Sequence, residues 1–264
     1  MTFVIPYPSI DPILYQLGPL VIRWYALAYI GGLLLGWWYM RALAAQAPVA
    51  AERDDVDDFL VWATLGVVLG GRLGYVFFYK PGFYLDNPAL IFAIWRGGMS
   101  FHGGLLGVIA AAALFARWRG IRFLPFADLI ACIAPIGLFL GRLANFINGE
   151  LFGRVSDVPW AMIFPRGGPY PRHPSQLYEA GMEGAVLFAV LFFLRRREAV
   201  RRRAGLLTGV FLAGYGIART IAELFRQPDF HIGFLSGGTT MGQWLSAPMF
   251  AVGVYLMVRA RRET

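Results

Sequence analysis

The chain has 264 residues, of which 58% are hydrophobic and 15% charged, with a formal net charge of +8. Soluble domains are about 45–50% apolar and about 25% charged, so this composition excludes a soluble globular enzyme, a disordered chain and a disulfide scaffold. A membrane-crossing helix needs about 20 mostly apolar residues; seven would use roughly 140 and leave the remainder for loops and polar sites.

In chain order, seven apolar stretches are predicted to be spans: 20–40, 58–79, 98–116, 124–143, 176–194, 205–223 and 241–258. The expectation is an all-α polytopic membrane protein, with 1–264 forming a single integral-membrane domain. No basic stretch precedes an apolar run at the N-terminus, so the first span is expected to be retained and not cleaved as a signal peptide. Asp54, Asp55, Asp57 and Asp58 precede the second span, where acids favour a helix N-terminus; they are read as a solvated helix start and not as a metal cluster. Gly32/Gly36, Gly66/Gly70, Gly103/Gly107, Gly137/Gly141 and Gly205/Gly209 each place small residues one turn apart, the spacing that lets helices approach closely in lipid. Cys132 is the only cysteine, so no disulfide or thiolate metal site forms within one chain. Residues 144–175, rich in Gly, Pro and aromatics, are the longest loop and are expected to form a small cap.

Charge sets the orientation. Fourteen arginines, including the run from Arg195 to Arg203, fall on one side of this layout and seven basic residues on the other. The richer side is expected to be cytoplasmic, with the N-terminus outside and the C-terminus inside. The basic excess thus argues for topology, with some attraction to anionic lipid, and no nucleic-acid partner is implied.

Ionisable groups inside spans are functional candidates because lipid makes them costly. In this topology they gather at the outer side: Arg23 and Tyr25; Ser100, His102, Gly103 and Gly104; Arg142, Asn145, Asn148 and Glu150; Gln176, Glu179 and Glu183; Tyr215, Arg219, Glu223 and Arg226. Tyr215, Arg219, Glu223 and Arg226 share one helical face, as do Gln176, Glu179 and Glu183. Such faces either line a wet cavity or form a buried ion-pair network, with Glu223 bridging Arg219 and Arg226. Arg72 suits a structural partner and a site residue equally. Arg142 and Arg219 can together hold a phosphate through charge-assisted hydrogen bonds, and the phosphates at that depth are phospholipid head groups. A histidine is the side chain suited to take a proton near neutral pH, which makes His102 a candidate base; an interfacial histidine also serves as a hydrogen-bonded structural residue. Gly-x-Ser-x-Gly, His-Glu-x-x-His and Walker A patterns are absent from the sequence. A transporter or flippase for a phosphate-bearing solute and a head-group transferase using the Asp54–Asp58 cluster both remain open on these residues.

Four segments carry a resemblance. The run from Gly141 to Gly153 (GRLANFINGELFG) resembles the signature of the bacterial prolipoprotein diacylglyceryl transferases. Ser100 to Gly104 (SFHGG), His173 to Glu179 (HPSQLYE) and Arg219-x-x-x-Glu223-x-x-Arg226-Gln227-Pro228-Asp229 are similar to that family's other segments, in the same order. The resemblance implies transfer of the sn-1,2-diacylglyceryl group from phosphatidylglycerol to the lipobox cysteine of a prolipoprotein still bearing its signal peptide. A thioether forms and glycerol phosphate leaves, without metal or other cofactor. It also implies a multi-pass protein of the bacterial cytoplasmic membrane whose site faces outward. On this view His102, Arg142 and Arg219 are catalytic. Phosphatidylglycerol is held by Arg142, Arg219, Tyr25, Gly103, Gly104, Asn145, Asn148, Glu150, Glu223 and Arg226, with Asn145, Asn148 and Glu150 gripping either the glycerol head or Arg142.

Overall fold

The computed structural model describes residues 5–18, 20–228 and 233–262. Asp229, the last residue of the fourth resembling segment, lies outside the described residues. Each of the seven predicted spans corresponds to a helix: α1 (Trp24–Ala44), α2 (Arg53–Phe78), α4 (Phe101–Arg119), α5 (Phe123–Ile147), the continuous helix Ser175–Arg195, α9 (Leu206–Ala222) and α10 (Met241–Arg262). The short α3 (Pro81–Asp86) follows α2. Ser175–Arg195 is built from α6 (Ser175–Glu179), a π-helical segment (Ala180–Val186) and α7 (Leu187–Arg195). Among the described residues five helices are long and apolar enough to cross a membrane: Arg53–Phe78, Phe101–Arg119, Phe123–Ile147, Ser175–Arg195 and Met241–Arg262. Leu206–Ala222 is apolar but only 17 residues long, and α1 is diluted by Trp24, Tyr25, Tyr29, Trp37, Trp38 and Tyr39.

The all-α expectation needs one correction. Ile13–Leu17 (β1) and Leu20–Arg23 (β2) form an antiparallel hairpin that turns through Gly18, where φ is +57°. Leu20 to Arg23 run directly into α1, so their hydrophobicity alone could not separate strand from span. Val21 and Ile22 are β-branched and suit an extended chain.

Two compact units are distinguished: residues up to Met40 together with Asp128 onward, and Arg41–Ala127. In the second unit α2 and α4 interlock through glycine. A Cβ on Gly66 would lie 2.7 Å from Gly107 O, and one on Gly74 would lie 2.7 Å from Gly103 Cα. Part of the acidic start of α2 is engaged in structure, while Asp54 is exposed. Asp55 accepts a hydrogen bond from Glu52 N at 2.9 Å and pairs with Arg119 at 2.7 Å, while Asp57 pairs with Arg41. Beside it Phe59, Phe115 and Phe126 pack ring against ring, with centroids 4.9–5.7 Å apart. No group of three or more candidate metal ligands occurs among the described residues.

In the first unit α9 packs on α10, where a Cβ on Gly209 would lie 2.8 Å from Gly253 O. The basic run of 195–203 folds through the single-turn α8 (Glu198–Arg201) into α9. Buried Asp128 of α5 accepts hydrogen bonds from Gly205 N at 2.8 Å, Thr208 N at 2.7 Å and Thr208 Oγ1 at 2.6 Å, satisfying the otherwise orphaned N-terminus of α9. Gly137 and Gly141 have open space where a Cβ would stand, so their pair does not mark a close contact of the α2–α4 kind.

This contrast is measurable. Gly107→Ala, which drives a methyl into the α2 backbone at Gly66, is expected to destabilise the protein by about 1–3 kcal/mol. Gly137→Ala is expected to be neutral or stabilising by up to about 1 kcal/mol through helix propensity. Thermal unfolding of the two variants in detergent checks the order; the reverse order would remove the close-packing account.

Candidate active site

The network begins at Glu179 and Glu183, which are both buried completely. One carboxylate oxygen of Glu179 lies 2.8 Å from Arg142 Nη1 and 3.1 Å from Arg219 Nη1; the other lies 3.3 Å from Arg226 Nη1. Glu183 approaches Arg142 Nη2 at 3.1 Å and Arg219 Nη1 at 3.7 Å. Glu223 reaches Arg219 Nη2 at 2.5 Å and Arg226 Nε at 3.9 Å. Three arginines and three glutamates thus form one cluster of zero formal charge.

Local sequence explains how these groups meet. Arg142 leaves α5 near its C-terminal end, Arg219 and Glu223 lie one turn apart at the end of α9, and Arg226 follows a turn later. Gly184, in the π segment, lets that helix approach α5 closely: a Cβ there would lie 2.6 Å from Phe139 Cβ. Phe139 is three residues before Arg142 on the same helical face, so this contact brings Glu183 under the guanidinium. Gly242, at the start of α10, likewise leaves room for the Glu223 carboxyl, whose carbon would be 2.6 Å from an added Cβ.

Exposure divides the network by sign. The side chains of Arg142, Arg219 and Arg226 retain 15%, 12% and 9% exposure, against 1%, 0% and 4% for Glu179, Glu183 and Glu223. The carboxylates are thus the more deeply buried partners, and the arginine side chains hold most of the little exposure the cluster has. Arg219 Nη1 is itself buried, within ion-pair range of two carboxylates yet without an aligned hydrogen bond. Tyr215 stands one turn before Arg219 on α9, and its ring stacks on Phe211 at 6.2 Å.

Asn145, Asn148 and Glu150 also come together, but with each other. Asn145 Nδ2 and Asn148 Nδ2 donate to Glu150 Oε1 at 2.8 and 3.3 Å, and Gln176 Nε2 donates to Glu150 O at 2.6 Å. The turn through Gly149, at φ +62°, and Leu151, at φ +57°, makes this possible. Of the two expected partners of this trio, Arg142 is taken up by Glu179 and Glu183. Tyr25, in the first turn of α1, is half-buried against Tyr29, with centroids 5.1 Å apart.

His102, Gly103 and Gly104 belong to the Arg41–Ala127 unit. His102 is exposed in the first turn of α4, its ring edge-on to Phe101 at 5.6 Å. Gly103 N donates to the Ser100 hydroxyl at 3.1 Å and Gly104 N to Ser100 O at 2.9 Å, so both backbone donors are engaged internally. Arg72 is also resolved: its partners are backbone carbonyls, which makes it a structural group.

Several supporting residues had no local signal. Tyr7 donates to Phe146 O at 2.6 Å and Ile147 O at 2.9 Å, closing the C-terminus of α5. Arg154, counted only as a loop charge, donates to Arg226 O at 3.0 Å and Glu223 O at 2.9 Å and so caps the end of α9. The loop after Gly149 is pinned by backbone bonds from Gly153 N to His173 O and from Arg154 N to Phe225 O, each 2.8 Å. Trp160 Nε1 donates to Tyr178 OH at 2.6 Å, and the same hydroxyl lies within hydrogen-bond distance of His173 Nδ1 at 3.0 Å. Burial holds the His173 imidazole below its usual pKa.

Removing one member of a buried ionic cluster leaves its partners uncompensated. Glu179→Ala is therefore expected to destabilise the protein by about 3–5 kcal/mol, read as thermal unfolding in detergent. Near-native stability would show that Glu179 does not hold the arginines.

Comparison with known sequences shows the family. The family described as prolipoprotein diacylglyceryl transferase matches residues 12–259. A protein of Paramagnetospirillum magneticum named phosphatidylglycerol–prolipoprotein diacylglyceryl transferase is 64% identical over 264 residues, covering 100% of this chain and 98% of its own. Proteins of the same name from Rhodospirillum rubrum and Azospirillum brasilense are 60% and 58% identical, covering 99% and 98% of this chain and 96% and 97% of their own. With apolar helices able to cross a bilayer and a match of this extent, the chain belongs to the prolipoprotein diacylglyceryl transferase family, a membrane transferase family.

Proposed function

We propose that this protein transfers the sn-1,2-diacylglyceryl group from phosphatidylglycerol to the lipobox cysteine of a prolipoprotein, the first step of bacterial lipoprotein maturation. The observation that carries the reading is the pairing of Arg142 and Arg219 with buried Glu179 and Glu183, the arginines being the more exposed members, in a chain that matches relatives of that name over its whole length. The protein sits in the cytoplasmic membrane with seven spans, its N-terminus and site on the outer side and its C-terminus in the cytoplasm, as the distribution of basic residues favours. The acceptor, still tethered by its signal peptide, is then available at the same surface.

The reaction breaks the C–O bond between the diacylglyceryl carbon and the phosphate and forms an S–C bond in its place. The electron pair of the broken bond leaves on glycerol phosphate, and the thiol proton passes to a base. Arg142 and Arg219 stabilise the charge that grows on the phosphate oxygens, an effect on the order of 3 kcal/mol for a well-placed donor. Arg226 and Glu223 hold Arg219 in place and border the lipid head. Tyr25 positions the lipid or the acceptor. Asn145, Asn148 and Glu150 form the preorganised polar wall for the glycerol head. His102 receives the thiol proton, since an unperturbed thiol has a pKa of about 8.5 and is mostly protonated at neutral pH. Gly103 and Gly104 serve this step by fixing the first turn of α4.

The test mixes purified protein with phosphatidylglycerol vesicles and a lipobox peptide, with a Cys→Ala peptide as control. Thioether-linked product and released glycerol phosphate are expected only with the cysteine peptide; their absence would overturn the reading. Arg142→Lys is expected to insert normally and lose about 100-fold or more in turnover, because a lysine cannot reproduce the planar fork. Unchanged turnover there would remove the phosphate clamp. Near-normal single-turnover thioether formation by His102→Gln would remove the histidine as base.

A further inference from the structure

Arg72 differs from the arginines of the Glu179 cluster in what surrounds it. Arg142, Arg219 and Arg226 face carboxylates; Arg72, 4% exposed within α2, faces backbone. Its Nε donates to Ile91 O at 2.8 Å, Nη1 to Gly97 O at 2.7 Å and Gly98 O at 3.1 Å, and Nη2 to Leu90 O at 2.6 Å and Ala93 O at 3.4 Å. A guanidinium carries five N–H groups in a fixed plane, and these five bonds use that whole capacity. The guanidinium carbon also lies 5.1 Å over the Tyr84 ring.

The five carbonyls come from a segment without a regular ladder. Leu90 and Ile91 lie in the 3-10 turn Pro88–Phe92, Ala93 follows it, and Gly97 and Gly98 follow the turn Ile94–Arg96 at φ +80° and +82°. Ends of such short turns leave carbonyls short of donors; Leu90 O and Ala93 O also accept from Ala93 N and Arg96 N, each at 3.1 Å. Arg72 supplies a donor to all five and so gathers 90–98 about one point on α2. A lysine offers three donors on a flexible stem and cannot span five acceptors in this geometry.

The adjoining residues of α2 carry this order into α4. Ser100 N donates to Gly71 O at 2.8 Å, and the Ser100 hydroxyl caps α4 through Gly103 N at 3.1 Å. Gly103 in turn packs on Gly70 and Gly74. Residues 70–74 therefore fix the chain at 97, 98, 100 and 103. His102 lies between the last two, exposed and edge-on to Phe101, so the position of its backbone, from which the ring projects, is set by where α4 begins.

We infer that Arg72 is a positioning residue for the transfer reaction: by gathering the carbonyls of 90–98 it sets the start of α4 and hence the placement of His102. This rests on the reading of the protein as a diacylglyceryl transferase that uses His102.

The experiment uses full-length protein in phosphatidylglycerol vesicles with the lipobox peptide, comparing wild type, Arg72→Gln, Arg72→Lys and Gly97→Ala. Three quantities are read: kcat per folded molecule, KM for peptide and lipid, and the rate at which diethyl pyrocarbonate modifies His102, with His173 as internal reference. Arg72→Gln is expected to lose about tenfold or more in kcat while KM stays within about threefold, since a small displacement of a reacting group is costly. Its His102 modification rate is expected to shift by about threefold or more against His173, and Arg72→Lys to fall between it and wild type. Gly97→Ala strains a φ of +80° while its Cβ meets nothing within 4 Å; it is expected to shift the same two readouts and carries the comparison if Arg72→Gln does not insert. Wild-type kcat and unchanged His102 modification in folded variants, even with a lowered melting temperature, would overturn the inference. Absence of thioether product with the wild-type protein would instead defeat the transferase reading, while the modification rates would still decide whether Arg72 places His102.

Discussion

Glu179 is the group on which most of the first unit converges. It has no exposure, and a lone carboxylate in an apolar interior is too costly to persist. Its charge is compensated by Arg142 from α5, Arg219 from α9 and Arg226 beyond the end of α9. The requirement to neutralise one buried acid thus ties together helices distant in sequence. Gly184 and Gly242 are consequences of the same requirement, because side chains there would keep Phe139 and the Glu223 carboxyl from their places. Arg154, donating to Glu223 O and Arg226 O, holds the stretch that delivers the third arginine. Buried ion pairs add little net stability compared with well-packed apolar side chains. A cluster of six charged side chains in a chain only 15% charged is therefore better explained by what it presents than by stability.

The second unit solves the same problem differently. Arg72 is also a buried cation in a helix long and apolar enough to cross a membrane, yet it is satisfied by carbonyl dipoles. Carboxylate partners leave the Arg142 cluster neutral, with the arginines its more exposed members. Carbonyl partners consume every donor of Arg72 and leave it nothing to offer a ligand. The two environments distinguish these arginines more sharply than depth of burial, since each of them is largely buried.

Helical periodicity carried most of what could be read in advance. Apolar stretches located each long helix to within a few residues, and one-turn spacing placed Arg219, Glu223 and Arg226 on one face and Glu179 and Glu183 on another, which are the faces that meet. Those features are local, so sequence encodes them directly. The strand Leu20–Arg23 was hidden because hydrophobicity does not distinguish an apolar strand from the helix it enters. The engagement of Glu150 by Asn145 and Asn148 depends on left-handed backbone at Gly149 and Leu151, and no pattern of residue types specifies a non-glycine residue there. The role of Arg72 depends on carbonyl directions in irregular turns up to 26 residues away. Gly103 and Gly107 were legible as packing residues; that the first also lies in the turn bearing His102 follows from helix spacing, but its closeness to Gly70 and Gly74 does not.

The neutral balance of the Arg142 cluster has a chemical logic on the proposed reaction. Phosphatidylglycerol brings a singly charged phosphodiester, and the leaving glycerol phosphate is a monoester whose second ionisation lies near pH 6, so charge increases on the group held by the arginines. Unpaired arginines would bind that product more tightly than the substrate and retain it. Glu179, Glu183 and Glu223 pair with the guanidiniums and weaken their hold on any resting anion. Interactions that strengthen only as charge develops raise the rate, whereas uniformly tight binding does not. Buried acids behind the less buried arginines are thus suited, on the proposed reaction, to a site that must stabilise a leaving phosphate and then release it.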